Sequence, residues 1–152
     1  SENNINYRLG GKLLIFSPQK DDFLWTTIRT SVGRNDDTNQ GYLFTELINT
    51  LRFNDSFAFN ISTKYFFSGI ESFGGIGVSS YINLLDNLQL IPEINTSLKS
   101  DSDFNSSLAL RYSFQPGKSI DLYYSNAVGL QDIGQLLEDK EYRFGIKLNF
   151  LY

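Results

Sequence analysis

Tyr142-Arg143-Phe144-Gly145-Ile146-Lys147-Leu148-Asn149-Phe150-Leu151-Tyr152 closes the chain. Tyr142, Phe144, Ile146, Leu148, Phe150 and Tyr152 share one parity, and Arg143, Gly145, Lys147 and Asn149 share the other. A period of two is that of a β-strand with one apolar and one polar face. The same alternation recurs upstream. Phe104, Leu108, Leu110, Tyr112 and Phe114 oppose Asn105, Ser107, Ala109, Arg111 and Ser113. Phe57, Phe59, Ile61, Thr63, Tyr65 and Phe67 oppose Ser56, Ala58, Asn60, Ser62 and Lys64. Leu24, Thr26, Ile28, Thr30 and Val32 oppose Trp25, Thr27, Arg29 and Ser31, and Tyr7, Leu9, Leu13 and Ile15 oppose Arg8, Gly10 and Lys12. Weaker alternation covers 41–53, 73–85, 88–98 and 118–126, which makes about nine strands.

The links between strands are turn-like. Asn54-Asp55 and Asp86-Asn87 read as two-residue hairpin links and Gln115-Pro116-Gly117 as a short turn. Longer polar links run from Arg34 to Gln40, Ser68 to Ser72, Lys99 to Asp103 and Ala127 to Glu141. Within the last, Asp132 to Asp139 reads as a short helix or a folded loop. Alternating short and long links describe an all-β, up-and-down antiparallel barrel of about 8–10 strands with one smooth rim and one loop-bearing rim. The 152 residues form a single β-barrel domain, 1–152.

Composition removes whole classes of chemistry. The chain has no Cys, no His and no Met. Disulfides, thiolate nucleophiles, imidazole relays and Cys- or His-ligated metals are therefore absent. With a net charge of −4, attraction to nucleic acid is not expected. No cofactor, no metal site and no enzymatic activity are expected. Gly74-Gly75-Ile76-Gly77 lacks the Lys-Ser/Thr of a phosphate loop and reads as close packing in a strand. Asp36, Asp37, Asp101 and Asp103 match no complete calcium loop. The opening Ser1-Glu2-Asn3-Asn4 shows no signal-peptide pattern and no initiator Met, as in a mature or truncated product.

The placement of charge selects the environment. The apolar parity carries no Lys, Arg, Asp or Glu. The polar parity holds Arg8, Lys12, Arg29, Arg52, Lys64, Lys99, Arg111, Arg143 and Lys147, with only three acids, Glu46, Glu93 and Asp121. The bulky parity belongs outside, because 8–10 strands enclose little space and the polar parity is rich in Ser, Asn, Gly and Ala. A charged lumen inside an apolar wall is the pattern of a membrane barrel. Glu46, Glu93 and Asp121 are expected to pair with Arg29, Arg52, Lys64 and Arg111, since semi-buried charges need partners. Aromatics form two belts: Phe53, Phe57, Phe59, Tyr112, Phe114, Phe150 and Tyr152 at the short-turn rim, and Tyr7, Tyr65, Phe67, Phe104, Tyr124 and Tyr142 at the other. A soluble lipid-binding barrel, with the aromatics as its core, is the competing arrangement.

The closing segment also resembles the C-terminal strand of bacterial outer-membrane β-barrel proteins, which alternates apolar residues and ends on an aromatic. The resemblance implies a bacterial outer membrane, contact with its lipids, and Tyr142, Phe144, Ile146, Leu148, Phe150 and Tyr152 as the signal read by the barrel assembly machinery. The surplus of bases leads to a porin-like channel, or part of one, favouring small anionic solutes. A small non-conducting structural or adhesion barrel presenting loops is the alternative. Nine strands depart from the even number usual in such barrels. Either the count is off by one, or 127–141 holds a strand, or the chain is the C-terminal part of a larger barrel. Pro92, which lacks a ladder donor, is expected at a bulge.

Overall fold

The computed structural model describes residues 7–16, 24–35, 40–99, 104–128 and 135–150; of Tyr7, Asn35 and Lys140 it describes the backbone alone. These residues form nine antiparallel strands: β1 (Tyr7–Phe16), β2 (Leu24–Asn35), β3 (Gln40–Arg52), β4 (Phe57–Ser68), β5 (Ser72–Leu85), β6 (Leu88–Ser97), β7 (Phe104–Gln115), β8 (Lys118–Ala127) and β9 (Glu138–Phe150). They lie in one sheet in chain order, each paired with its neighbours. The meander is therefore all-β and up-and-down, as the alternation requires.

The sheet is open, which departs from a barrel closed within one chain and is compatible with the alternative of a part of a larger barrel. β1 and β9 are its two outer members and do not pair with each other. Both run in the same direction, from the loop rim to the short-turn rim. An odd strand count makes that unavoidable in an up-and-down meander. Among the described residues there is no tenth strand: Val128 and Gln135 to Leu137 lie outside the strands, and Glu138 to Glu141 already belong to β9.

Turn chemistry fixes the short rim. Asp86-Asn87 joins β5 to β6, and Pro116-Gly117 joins β7 to β8. Pro116 pre-sets its own φ, and Gly117 takes φ 73°, a conformation that a Cβ disfavours. The β3–β4 link is longer than Asn54-Asp55. It spans Phe53 to Ser56, where the Asn54 side chain accepts a hydrogen bond from the Ser56 amide at 2.8 Å. Pro92 does not create a bulge. The β5–β6 pairing skips Ile91 and Pro92 and resumes at Leu90 in the same register, while the irregularity falls between Asn83 and Leu85. The proline faces the apolar side and pairs in register with Leu108 of β7.

Burial follows parity with the sign reversed from a soluble protein. Along β4, Asn60, Ser62, Lys64 and Phe66 are buried, whereas Ile61, Thr63, Tyr65 and Phe67 are exposed. Glu46 on β3, Asn95 and Ser97 on β6, Asn105 on β7, and Ser119, Asp121 and Ser125 on β8 are likewise buried. The exposed set includes Leu9, Leu13, Val32, Ile76, Leu108, Leu110, Leu122, Phe144 (85%), Ile146 (69%) and Leu148. The sheet thus curls around its polar parity and turns Leu, Ile and Phe outward.

Inside the curl lies one compact apolar cluster. Phe44, Phe66 and Phe73, from the loop-rim ends of β3, β4 and β5, surround Leu136 from the β8–β9 connection. The rings sit close, with Phe66 and Phe73 5.3 Å apart and Tyr42 and Phe66 5.9 Å apart. Gly75 makes the room. A Cβ there would overlap the Leu136 side chain and reach within 2.8 Å of the Thr96 carbonyl oxygen. Two further glycines, Gly33 and Gly145, lie beneath the rings of their cross-strand partners Tyr42 and Tyr123.

Candidate functional site: the charged interior

Register brings the interior charges together. Arg29 on β2 pairs with Glu46 on β3, which pairs with Lys64 on β4. The side chains follow the backbone. Arg29 Nη2 lies 3.0 Å from Glu46 Oε2, and Lys64 Nζ lies 3.5 Å from Glu46 Oε1 and 3.4 Å from Glu93 Oε1 on β6. The Lys64 ammonium also donates to Asn95 Oδ1, and Asn95 Nδ2 donates to Glu93 Oε1 at 2.8 Å. Lys64 reaches β6 across β5 because Gly77 leaves a gap, where a Cβ would come 3.0 Å from Lys64 Cε. With a side-chain exposure of 1%, Lys64 is the buried centre of a four-residue ion network.

A second group lies on the far wall. Arg111 grips Asp121 through two parallel hydrogen bonds, Nε to Oδ1 at 2.7 Å and Nη2 to Oδ2 at 2.8 Å. Such a fork fixes direction as well as charge. Asn149 Nδ2 adds a bond of 2.9 Å to the same carboxylate, and Lys147 is the register partner of Asp121 across β8 and β9, without a salt bridge between them.

These residues share one space. Lys12, Arg29, Glu46, Glu93, Arg111, Asp121 and Lys147, from seven different strands, line a cavity of about 370 Å³ with Tyr81, Tyr123 and Gln135. The cavity adjoins a second of about 370 Å³ that reaches the short-turn rim at Arg52, Asn54, Asp55 and Gln89. Lys12, Ile48, Asn60 and Tyr81 line both.

Other expected interior charges lie at the edges. Arg52 is exposed and pairs with Asp55 in its own turn rather than with an interior acid. Arg143 is exposed and pairs with Asp139, four residues earlier. Arg8 lies exposed on β1. Lys99 is not on a strand face. It sits in the β6–β7 connection, 2.6 Å from Glu71 Oε2 and over the Phe73 ring.

The aromatics separate by rim as their positions along the strands dictate. Phe53, Phe57, Tyr112, Phe114 and Phe150 are exposed toward the short-turn rim, with half-buried Phe59 beside them. Tyr65, Phe67, Phe104, Tyr124 and Tyr142 are exposed toward the loop rim. Tyr124 lies 4.8 Å from Tyr142 and 4.5 Å from Phe144, centroid to centroid. The Tyr7 side chain, Tyr152, Asp36, Asp37, Asp101 and Asp103 lie outside the described residues.

Parity reasoning missed the interior closure at the loop rim. Gln135 accepts a bond from Arg29 Nη2 at 3.5 Å through its side chain and one from Asn105 Nδ2 at 2.7 Å through its carbonyl. With Leu136 packed on β3, β4 and β5, Gln135 and Leu136 of the β8–β9 connection lie inside the curl. Three aromatics on the polar parity near one rim, Phe44, Phe66 and Phe73, were the available signal.

No helix among the described residues is long and apolar enough to cross a membrane. The chain matches no family model, no curated protein and no solved structure.

The network makes a direct energetic prediction. Lys64→Met leaves Glu46 and Glu93 facing each other without their shared cation and is expected to cost about 3–5 kcal/mol. Adding Glu93→Gln to that variant should recover part of the loss, because Glu93 is the acid left without a cation while Glu46 keeps Arg29. Equilibrium urea unfolding of the folded protein measures both. A loss under about 0.5 kcal/mol for Lys64→Met, the level of a surface substitution, would contradict the buried network.

Proposed function

We propose that this chain forms a β-barrel, or the wall of one, in a bacterial outer membrane, porin-like, with a basic interior that favours small anions. One observation carries the reading: the sheet buries Lys64, Glu46 and Asp121 and exposes Leu, Ile and Phe on strand after strand. In water that arrangement leaves a continuous apolar surface uncovered. In lipid it satisfies both sides, since acyl chains meet the outer face and charges keep partners inside. The rim aromatics fit the two interfaces of a bilayer. Bilayer lipids would then cover the outside, and the alternating segment from Tyr142 to Tyr152 would be what the barrel assembly machinery recognises.

The Leu136 cluster favours a second reading, a non-conducting barrel that presents its loops. An apolar plug across the loop-side end obstructs a water path there. The two readings share the membrane environment and differ in conduction.

The environment is tested by substitution on the two parities of one strand. Arg at Leu110 or Ile146 should cost roughly 2–4 kcal/mol if those positions face mid-bilayer. Arg at Ala109, on the interior parity, should cost clearly less. The folded protein should require detergent for extraction and show heat-modifiable mobility on a gel. A monomer stable in plain buffer would defeat the proposal.

Conduction is tested in planar bilayers under a salt gradient. Reversal potentials should show anions permeating better than cations, with the preference weakening as salt screens the wall. Arg111→Glu together with Lys147→Glu should flatten or reverse it. Cation selectivity in the unaltered protein would contradict the basic interior. Absence of conductance, relieved by Leu136→Gly, would establish the plug as the barrier.

A further inference from the structure

The interior has one open side and one surplus charge type. Leu136 and its aromatic neighbours fill the loop-rim end, whereas the two adjoining cavities continue to the turn residues Asn54 and Asp55 at the short rim. The shape is a cup. Most of its charges are already satisfied: Arg29, Glu46, Lys64 and Glu93 form one network, and Arg111 and Asp121 form another. Lys12 and Lys147 line the same cavity, yet neither forms an ion pair among the described residues. They come from β1 and β9, the two unpaired edges, so they face the cup from either side of the seam. A further donor points to the same need. Arg29 Nε is buried and has no hydrogen-bond partner among the described residues, although its Nη2 is bonded.

We propose that this cup is a binding site for a small anion bearing carboxylate or phosphate oxygens, held between Lys12 and Lys147. The proposal rests on the membrane reading only in that the outer face must be covered. It does not require conduction. A cavity of about 370 Å³ suits a small solute and lies within the roughly 300–1,000 Å³ usual for ligand pockets. Two ammonium groups on separate strands fit a ligand with at least two anionic oxygens, because each oxygen then accepts a charge-assisted hydrogen bond. The hydroxyls of Tyr81 and Tyr123, which line the same cavity, offer further bonds. A bridging anion would also tie the two edges of the open sheet together, so binding should stabilise the fold.

That linkage supplies the test. The transition temperature of the heat-modifiable form in detergent is measured against rising inorganic phosphate and, separately, succinate, with chloride at matched ionic strength as control. Phosphate or succinate should raise the transition saturably, and chloride should not. Lys12→Gln and Lys147→Gln should each weaken the apparent affinity about tenfold, the size of one lost charge-assisted hydrogen bond. Lys12→Arg and Lys147→Arg should retain it. Leu136→Gly should leave the affinity unchanged, since the plug does not touch the lysines. A rise of equal size in the double Gln variant would mean an adventitious ionic effect only and would overturn the site, as would no saturable rise in the unaltered protein. A protein that binds phosphate yet is stable without detergent would sink the membrane reading and leave the site standing.

Discussion

A β-strand sends successive side chains to opposite faces, and in this chain charge away from the strand ends is confined to one of those faces; against the expectation of a charge-free apolar parity, Arg34 at the end of β2 and Lys118 at the start of β8 share the parity of Val32 and Ile120. The rest of the structure depends on that constraint. A curled sheet must choose which face goes inside, and here small and charged residues fit the interior better than Phe, Tyr, Leu and Ile. Once the charged face is inside, its members must find partners, because an unpaired buried charge is costly. Lys64 between Glu46 and Glu93 meets that requirement, and so does Arg111 on Asp121. Antiparallel register then becomes part of the chemistry. A slip of one residue in β4 would turn Lys64 outward and Tyr65 inward.

Glycine and the loop-rim plug complete the interior. Bulk that does not fit on the inner wall is accommodated by removing a side chain opposite it. Gly75 receives Leu136, Gly77 lets Lys64 pass to β6, and Gly145 receives the Tyr123 ring. Gly77 and Gly145 act between neighbouring strands, whereas Gly75 receives a residue from the distant β8–β9 connection. The glycines therefore act here through space they leave open, which is a packing role consistent with close approach in strands.

Strand number, parity and the outward set were legible in the sequence because the period of two is strong in nearly every segment. The partners of Arg29, Lys64 and Arg111 were legible as a class, since like parity places them on one face. Arg52 was not, because its partner Asp55 lies in a turn whose true length, Phe53 to Ser56, hides in an apolar-polar mixture. Leu136 was not legible either. It is one of several apolar residues scattered through the 127–141 link without a period to announce its direction, and its pocket is assembled from three other strands. Phe44, Phe66 and Phe73 break the alternation, and only their shared position at one rim marks them as a set. Closure was left open between a complete barrel and part of a larger one, because pairing of the first and last strands leaves no local trace in either.

The central claim is that the Leu- and Phe-bearing parity meets lipid and the Arg- and Lys-bearing parity does not. The absence of cysteine makes it directly measurable. Single cysteines placed in turn at Leu108, Ala109, Leu110, Arg111 and Tyr112 of β7, each labelled with an environment-sensitive fluorophore, can be read in vesicles containing a lipid-borne quencher. The account predicts strong quenching at Leu108, Leu110 and Tyr112 and weak quenching at Ala109 and Arg111. Uniform quenching, or the opposite phase, would contradict it.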